Sequence, residues 1–243
     1  MHVKNSSYIL ILFVAWTFLP CEVLSQLNDA GLWMGFKSKV ELTKKLDVSV
    51  DPEIRLSENI SYVSGIFTDV GAEYRISKPL YVSVTYRIGA RHKDVFWDMR
   101  QRISTGLEVK QKFGDFSVSF LTRYQASRQG IQVENDPDIS ASWRNKLSVK
   151  FDRIKKTDLG MSFELFQAAG PYETAELTDW RWTADIERKL SKRRYVSLGY
   201  LIQKNLVSTQ PEMDFVVLAG YKYLPDFSKK KKKKKKDPTE APK

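Results

Sequence analysis

Leu80-Tyr-Val-Ser-Val-Thr-Tyr-Arg-Ile-Gly-Ala90 is the stretch that decides the fold. Leu80, Val82, Val84, Tyr86, Ile88 and Ala90 share one parity, and Ser83, Thr85, Arg87 and Gly89 share the other. Successive side chains of a strand point to opposite faces, so a period of two describes extended chain with one apolar and one polar surface. The pattern recurs in both directions. Upstream it is carried by Leu32, Met34, Phe36 and Val40, by Leu46, Val48, Val50, Ile54 and Leu56, and by Ile66, Val70, Ala72, Tyr74 and Ile76. Downstream it runs through Trp97–Val109, Phe116–Ala126, Ile139–Phe151, Leu159–Leu165, Trp180–Ile186, Val196–Ile202 and Met213–Tyr223. About eleven such segments are present, and no stretch between them offers a comparable helical stripe.

So many amphipathic strands in one chain fit a closed barrel in a lipid bilayer. The polar parity is unusually charged and carries both signs: Arg55, Glu73, Arg75, Arg87, Arg100, Arg102, Glu108, Arg123, Arg144, Lys146, Glu164, Arg181, Asp185 and Glu187. Facing inward, these charges line a lumen and pair across neighbouring strands. Were the apolar parity turned inward instead, the chain would be a soluble periplasmic ligand-binding barrel. Such barrels close with about eight strands, and eleven or twelve would leave a large apolar hole. The fold class expected is therefore all-β: a transmembrane antiparallel up-and-down β-barrel of about 10–12 strands with a polar, charge-lined lumen. Short connections at 43–45, 77–79, 113–115, 155–158 and 191–194 alternate with longer ones near 59–64, 91–96, 128–137, 170–176 and 207–212. That matches tight periplasmic turns and longer outer loops. The count of eleven is odd where bacterial barrels are even, which calls for a twelfth strand from Gln26–Gly31 with a loop segment, or for one segment that does not span.

The two ends read differently from the body. Lys4, the apolar run Tyr8–Leu19, and Val23 and Ser25 before Gln26 have the layout of a secretory signal peptide, expected over residues 1–25. Cys21, the only cysteine, lies within it, so the mature chain has no thiol for a disulfide or a metal. A lipoprotein reading of Cys21 is disfavoured by Pro20 before it. Residues 26–228 are the barrel domain. Residues 229–243 hold nine lysines against Asp237 and Glu240, a net of +7 out of the chain's formal +11. A run so charged repels itself and buries nothing, so a disordered polylysine tail without a specific nucleic-acid partner is expected.

Several runs have a shared look: Gly31-Leu-Trp-Met-Gly-Phe36, Leu42-Thr-Lys-Lys-Leu46, Phe67-Thr-Asp-Val-Gly-Ala-Glu-Tyr74, Leu80–Arg87 and Phe113-Gly-Asp-Phe-Ser-Val-Ser-Phe120. Together they resemble the domain-of-unknown-function family 2490 over residues 30 to about 224. The resemblance implies a secreted protein of the kind common in Bacteroidetes, regarded as an outer-membrane barrel. It implies no activity and no catalytic residue. The partners expected are outer-membrane lipid and the barrel assembly machinery, with the substrate unknown.

The chemistry is sparse. His92 is the single histidine of the mature chain. Lipid-modifying barrel enzymes generally pair a histidine with a serine nucleophile, but no serine is tied to His92 by a motif and there is no Gly-x-Ser-x-Gly elbow. A solvated loop histidine is the simpler reading. One histidine without cysteine rules out a conventional zinc site. Asn135-Asp136-Pro137-Asp138 lacks the spacing of a calcium loop, no glycine-rich phosphate loop occurs, and no cofactor is expected. Asn59-Ile60-Ser61 matches a glycosylation acceptor by coincidence. The lumen charges either plug a small barrel, which is the favoured reading, or line a narrow solute channel.

Overall fold

The computed structural model describes residues 28–93, 95–130, 139–154, 156–170, 176–207 and 213–225. The expected signal segment, the Asn135–Asp138 turn and the lysine tail lie outside these residues. Eleven strands follow one another in order: β1 (Asn28–Glu41), β2 (Leu46–Ser57), β3 (Tyr62–Arg75), β4 (Leu80–Lys93), β5 (Phe96–Phe113), β6 (Phe116–Gln129), β7 (Ile139–Ile154), β8 (Thr157–Ala168), β9 (Leu177–Lys189), β10 (Arg194–Asn205) and β11 (Met213–Tyr223). Each pairs with its sequence neighbours, and the sheet closes into a barrel. Closure satisfies every strand edge, the condition for placing a sheet in hydrocarbon. The strands run from 11 to 18 residues, longer than the roughly 9–11 that a tilted crossing needs.

The expectation of a uniformly antiparallel ring is corrected at one seam. All neighbouring pairs from β1 to β11 are antiparallel, but β1 and β11 pair in parallel, from Asn28↔Met213 to Ser38↔Tyr223. The cause is arithmetic: in an up-and-down barrel with an odd number of strands, the first and last point the same way. Neither a twelfth strand nor a segment left out of the wall is present among the described residues. The parallel seam removes both needs.

The apolar parity faces outward. Val84 and Ile66 are each 48% exposed, and Leu198 is 62% exposed, values typical of a molecule whose outer surface meets lipid. An apolar-inward soluble barrel is thereby excluded. Aromatic rings gather at both ends of this band. Toward one rim stand Tyr124 against Trp143 and Phe163 against Trp180; toward the other, Phe36 stacks on Tyr221 and Phe116 packs on Phe151. Amphipathic rings at two levels form the girdles of membrane barrels.

Loop asymmetry holds for only part of the barrel. Connections 130–138, 169–176 and 206–212 are seven to nine residues long, but 58–61 and 94–95 are no longer than the turns of the opposite rim. Strands β4 and β5 extend past the expected loop at 91–96, pairing as far as Lys93↔Phe96. Alternation of polarity marks a strand but not its last residue, so polar strand ends look like loop in the sequence.

Candidate functional site

The inward parity is not uniformly polar. Trp33, Phe67 and Phe166 stand on it, and arginines pack against them in sequence across the barrel. The Arg87 guanidinium lies 5.2 Å from the Phe67 ring centre, and Arg55 lies 5.0 Å from Phe67 and 3.7 Å from Trp33. Arg181 follows at 5.4 Å from Trp33 and 5.0 Å from Phe166, and Arg144 ends the series at 4.6 Å from Phe166. Guanidinium planes favour such aromatic faces, more so where water is scarce. The result is a belt alternating cation and ring, drawn from β1, β2, β3, β4, β7, β8 and β9. With Leu201 and Val216, each only 3% exposed, it fills the middle of the lumen.

Carboxylates hold the belt's cations in place. Arg87 donates to both oxygens of Asp69 at 2.5 and 2.7 Å, and Arg55 to Glu53 at 2.7 Å. Arg144 forms a fork on Glu164 with both hydrogen bonds at 3.0 Å, and Arg181 reaches the same carboxylate at 3.7 Å. Two-pronged arginine–carboxylate pairs are the stronger and more directional ion pairs. Glutamines complete the frame: Arg181 donates to Gln203 at 2.6 Å, which donates to Asp179 at 3.2 Å, and Arg144 donates to Gln125 at 3.2 Å.

The backbone is shaped for these side chains. Phe67 lies flat on β3 and β4 because Gly65 and Gly89 stand beneath it. A Cβ on Gly65 would sit 2.5 Å from the Phe67 ring, and one on Gly89 2.3 Å from the Ile66 carbonyl oxygen. Bulges interrupt the pairing between Arg55 and Leu56 and between Phe166 and Gln167. An extra residue in one strand re-aims the neighbouring side chain, and both bulges flank belt residues.

On the side of the longer loops the belt is the floor of a vestibule of about 420 Å³. Among the described residues Arg55, Arg87, Arg91, Arg100, Arg102 and Arg181 line it, against Asp214 as the one carboxylate of the lining. Below the belt, charges alternate instead. Lys39 bridges Asp47 and Glu73 at 2.8 and 3.1 Å, Lys110 meets Glu108 at 2.9 Å, and Lys222 meets Glu187 at 2.6 Å. The lumen is thus basic above the belt and balanced below it.

All the charged residues expected in the lumen lie on the inward parity. Arg55, Arg87, Arg144, Glu164 and Arg181 meet in the belt, and Arg100 and Arg102 line the vestibule. Glu73, Glu108, Arg123, Lys146, Asp185 and Glu187 line the lower half. Arg75 sits at the lower rim and donates to the Lys44 carbonyl. Arg102, Arg123 and Lys146 have no ion pair or hydrogen bond among the described residues, stepping down β5, β6 and β7 from the vestibule to the lower half. His92 is elsewhere, edge-on between Tyr62 and Trp97 with ring centres 4.8 and 4.9 Å away. Its Nδ1 is buried, and among the described residues neither a serine nor any other group hydrogen-bonds to it; the ring packs against its two aromatic neighbours. Among the described residues no cluster of histidine and carboxylates is arranged to hold a metal ion. Charge marks the lumen in the sequence but does not mark the belt aromatics. Their signal was the reverse one, an apolar ring on the polar parity.

The model of the family described as "Protein of unknown function (DUF2490)" matches residues 30–214, from β1 into β11. This chain belongs to the DUF2490 family. No curated protein matches its sequence. Two solved structures resemble the DUF2490 barrel. A bacterial polysaccharide outer membrane secretin is 10% identical with a TM-score of 0.46, over 74% of this chain and 63% of its own. An anion-selective porin from Comamonas acidovorans is 13% identical with a TM-score of 0.35, over 72% and 55%. The DUF2490 chain spans less than two thirds of either.

Proposed function

We propose that this protein is an outer-membrane barrel of a Gram-negative bacterium with a structural or ligand-holding role, its lumen closed at mid-height. The observation that carries the reading is the belt of Arg87, Phe67, Arg55, Trp33, Arg181, Phe166 and Arg144 inside a wall whose outer face is an apolar band between two aromatic girdles. Export by the expected signal segment and insertion by the barrel assembly machinery belong to the same reading, with the shorter-turn rim toward the periplasm. The test has two parts. The protein should fractionate with outer membranes and migrate faster on gels when unheated; recovery as a detergent-free periplasmic protein would overturn the location. In planar bilayers the wild type should conduct little, and Phe67→Ala combined with Phe166→Ala should raise conductance.

A narrow channel is the second reading, favoured by the descent of Arg102, Arg123 and Lys146 past the belt. Steady wild-type conductance with preference for anions would establish it in place of the first.

A further inference from the structure

We infer that the vestibule is a binding site for a compact, multiply charged oxyanion of the phosphate or diphosphate class, entering from the longer-loop rim. The charge count is the first argument. Setting Glu53, Asp69, Asp98, Asp179 and Asp214 against the six arginines of the lining still leaves a positive charge among the described residues. Glu164 adds nothing to the balance because Arg144 takes it up from its other side. Excess charge between low-dielectric walls focuses its field on the space enclosed.

The second argument is geometry. Arg102 stands in the lining without an ion pair or hydrogen bond among the described residues, a guanidinium with five donors to offer. A half-buried guanidinium without an acceptor is held at a cost that an incoming oxyanion removes. Arg55, Arg87 and Arg181 are already oriented by Glu53, Asp69 and Gln203 and by the rings they cover. They present a fixed floor rather than mobile chains, and a planar fork matches phosphate oxygens two at a time.

The third argument is the rest of the lining. Gln125, Gln129, Ser127 and Ser140 supply hydrogen-bonding groups around the arginines, and few apolar side chains reach the space. At about 420 Å³ the vestibule is of the size that holds a small molecule. The site suits a compact anion with polar substituents.

The inference rests on the barrel reading for the outward opening, and its test separates the two. Full-length protein folded in detergent micelles is titrated calorimetrically with inorganic diphosphate at fixed ionic strength. Saturable binding at one site is expected. Arg102→Gln should weaken it about tenfold, the value of one charge-assisted hydrogen bond. Lys112→Gln should leave it unchanged, since that ammonium pairs with Asp152 at 3.0 Å at the opposite rim. Should Arg102→Gln fail to fold, Arg91→Gln at the exposed mouth takes its place. Heat-modifiable migration reports the barrel in every sample. Lost migration therefore marks failure of the barrel, and intact migration without saturable heat overturns the site. Equal weakening by Arg102→Gln and Lys112→Gln would also overturn it. Adding phosphatidic acid to the micelles identifies the source: competition assigns the site to a lipid headgroup phosphate, and its absence to a free solute, the oxyanion chemistry standing in either case.

Discussion

Phe67 shows how one side chain is placed against the local pattern. Its neighbours Ile66 and Val70 look outward, and Phe67 shares the inward parity with Asp69, Gly71 and Glu73. It stays there because Gly65 and Gly89 leave the floor bare for its ring, and because Arg55 and Arg87 cover its face. Alternation fixed the direction of Phe67, but nothing local to the sequence announces that rings on three distant strands meet. The same parity rule makes a sharp prediction at Val84 and Thr85. Val84→Arg places a charge on the outer face near mid-strand and should destabilise the folded barrel by about 2–4 kcal/mol. Thr85→Arg enters the polar lumen and should cost clearly less. Urea unfolding in lipid vesicles measures both, and equal penalties or the reverse order would contradict the assignment of faces.

At the scale of the strand, the seam between β1 and β11 is the element that periodicity could not reveal. A strand alternates in the same way whether its partner runs with it or against it, so eleven segments could be counted while their closure stayed open. The seam also shows why no twelfth strand is needed. Met34 and Ala219 face each other across it, both on the outward parity. With Met34→Cys and Ala219→Cys in one mature chain, mild oxidation should form a disulfide, since registered neighbours lie within bridging distance. The product is read as a mobility shift on non-reducing gels. Met34→Cys combined with Tyr223→Cys, which is out of register with it, should stay uncrosslinked. A disulfide in the second pair and none in the first would show that the chain closes differently. Strand ends were the other weak point, as at 91–96, where polar residues prolong β4 and β5 instead of forming a loop.

For the whole molecule, charge falls in two zones of the lumen, a basic vestibule and a balanced lower half, and in sequence it is concentrated in the lysine-rich residues 229–243. The last described backbone contact of the barrel at that end is Leu224 N–H donating to the Arg193 carbonyl at 2.9 Å. Truncation after Ser228 should therefore leave insertion and heat-modifiability unchanged while removing seven of the eleven net charges. Any binding to anionic vesicles that depends on the lysines should fall and be sensitive to salt. A truncated chain that no longer inserts would show that the segment belongs to the fold. The parallel seam has one more consequence, and it concerns engineering. β1 begins at the rim where β11 also begins, so the start of the first strand and the end of the last emerge at opposite mouths. In an ordinary even-stranded barrel they emerge together, and a short peptide can join them into a ring before new ends are cut elsewhere. Here such a linker would have to travel the full height of the wall, about 3.3 Å for each residue of strand, through an interior already occupied by rings and guanidinium groups. Circular permutation is closed to this barrel, but reporters fused at its two ends would stand on opposite sides of the membrane.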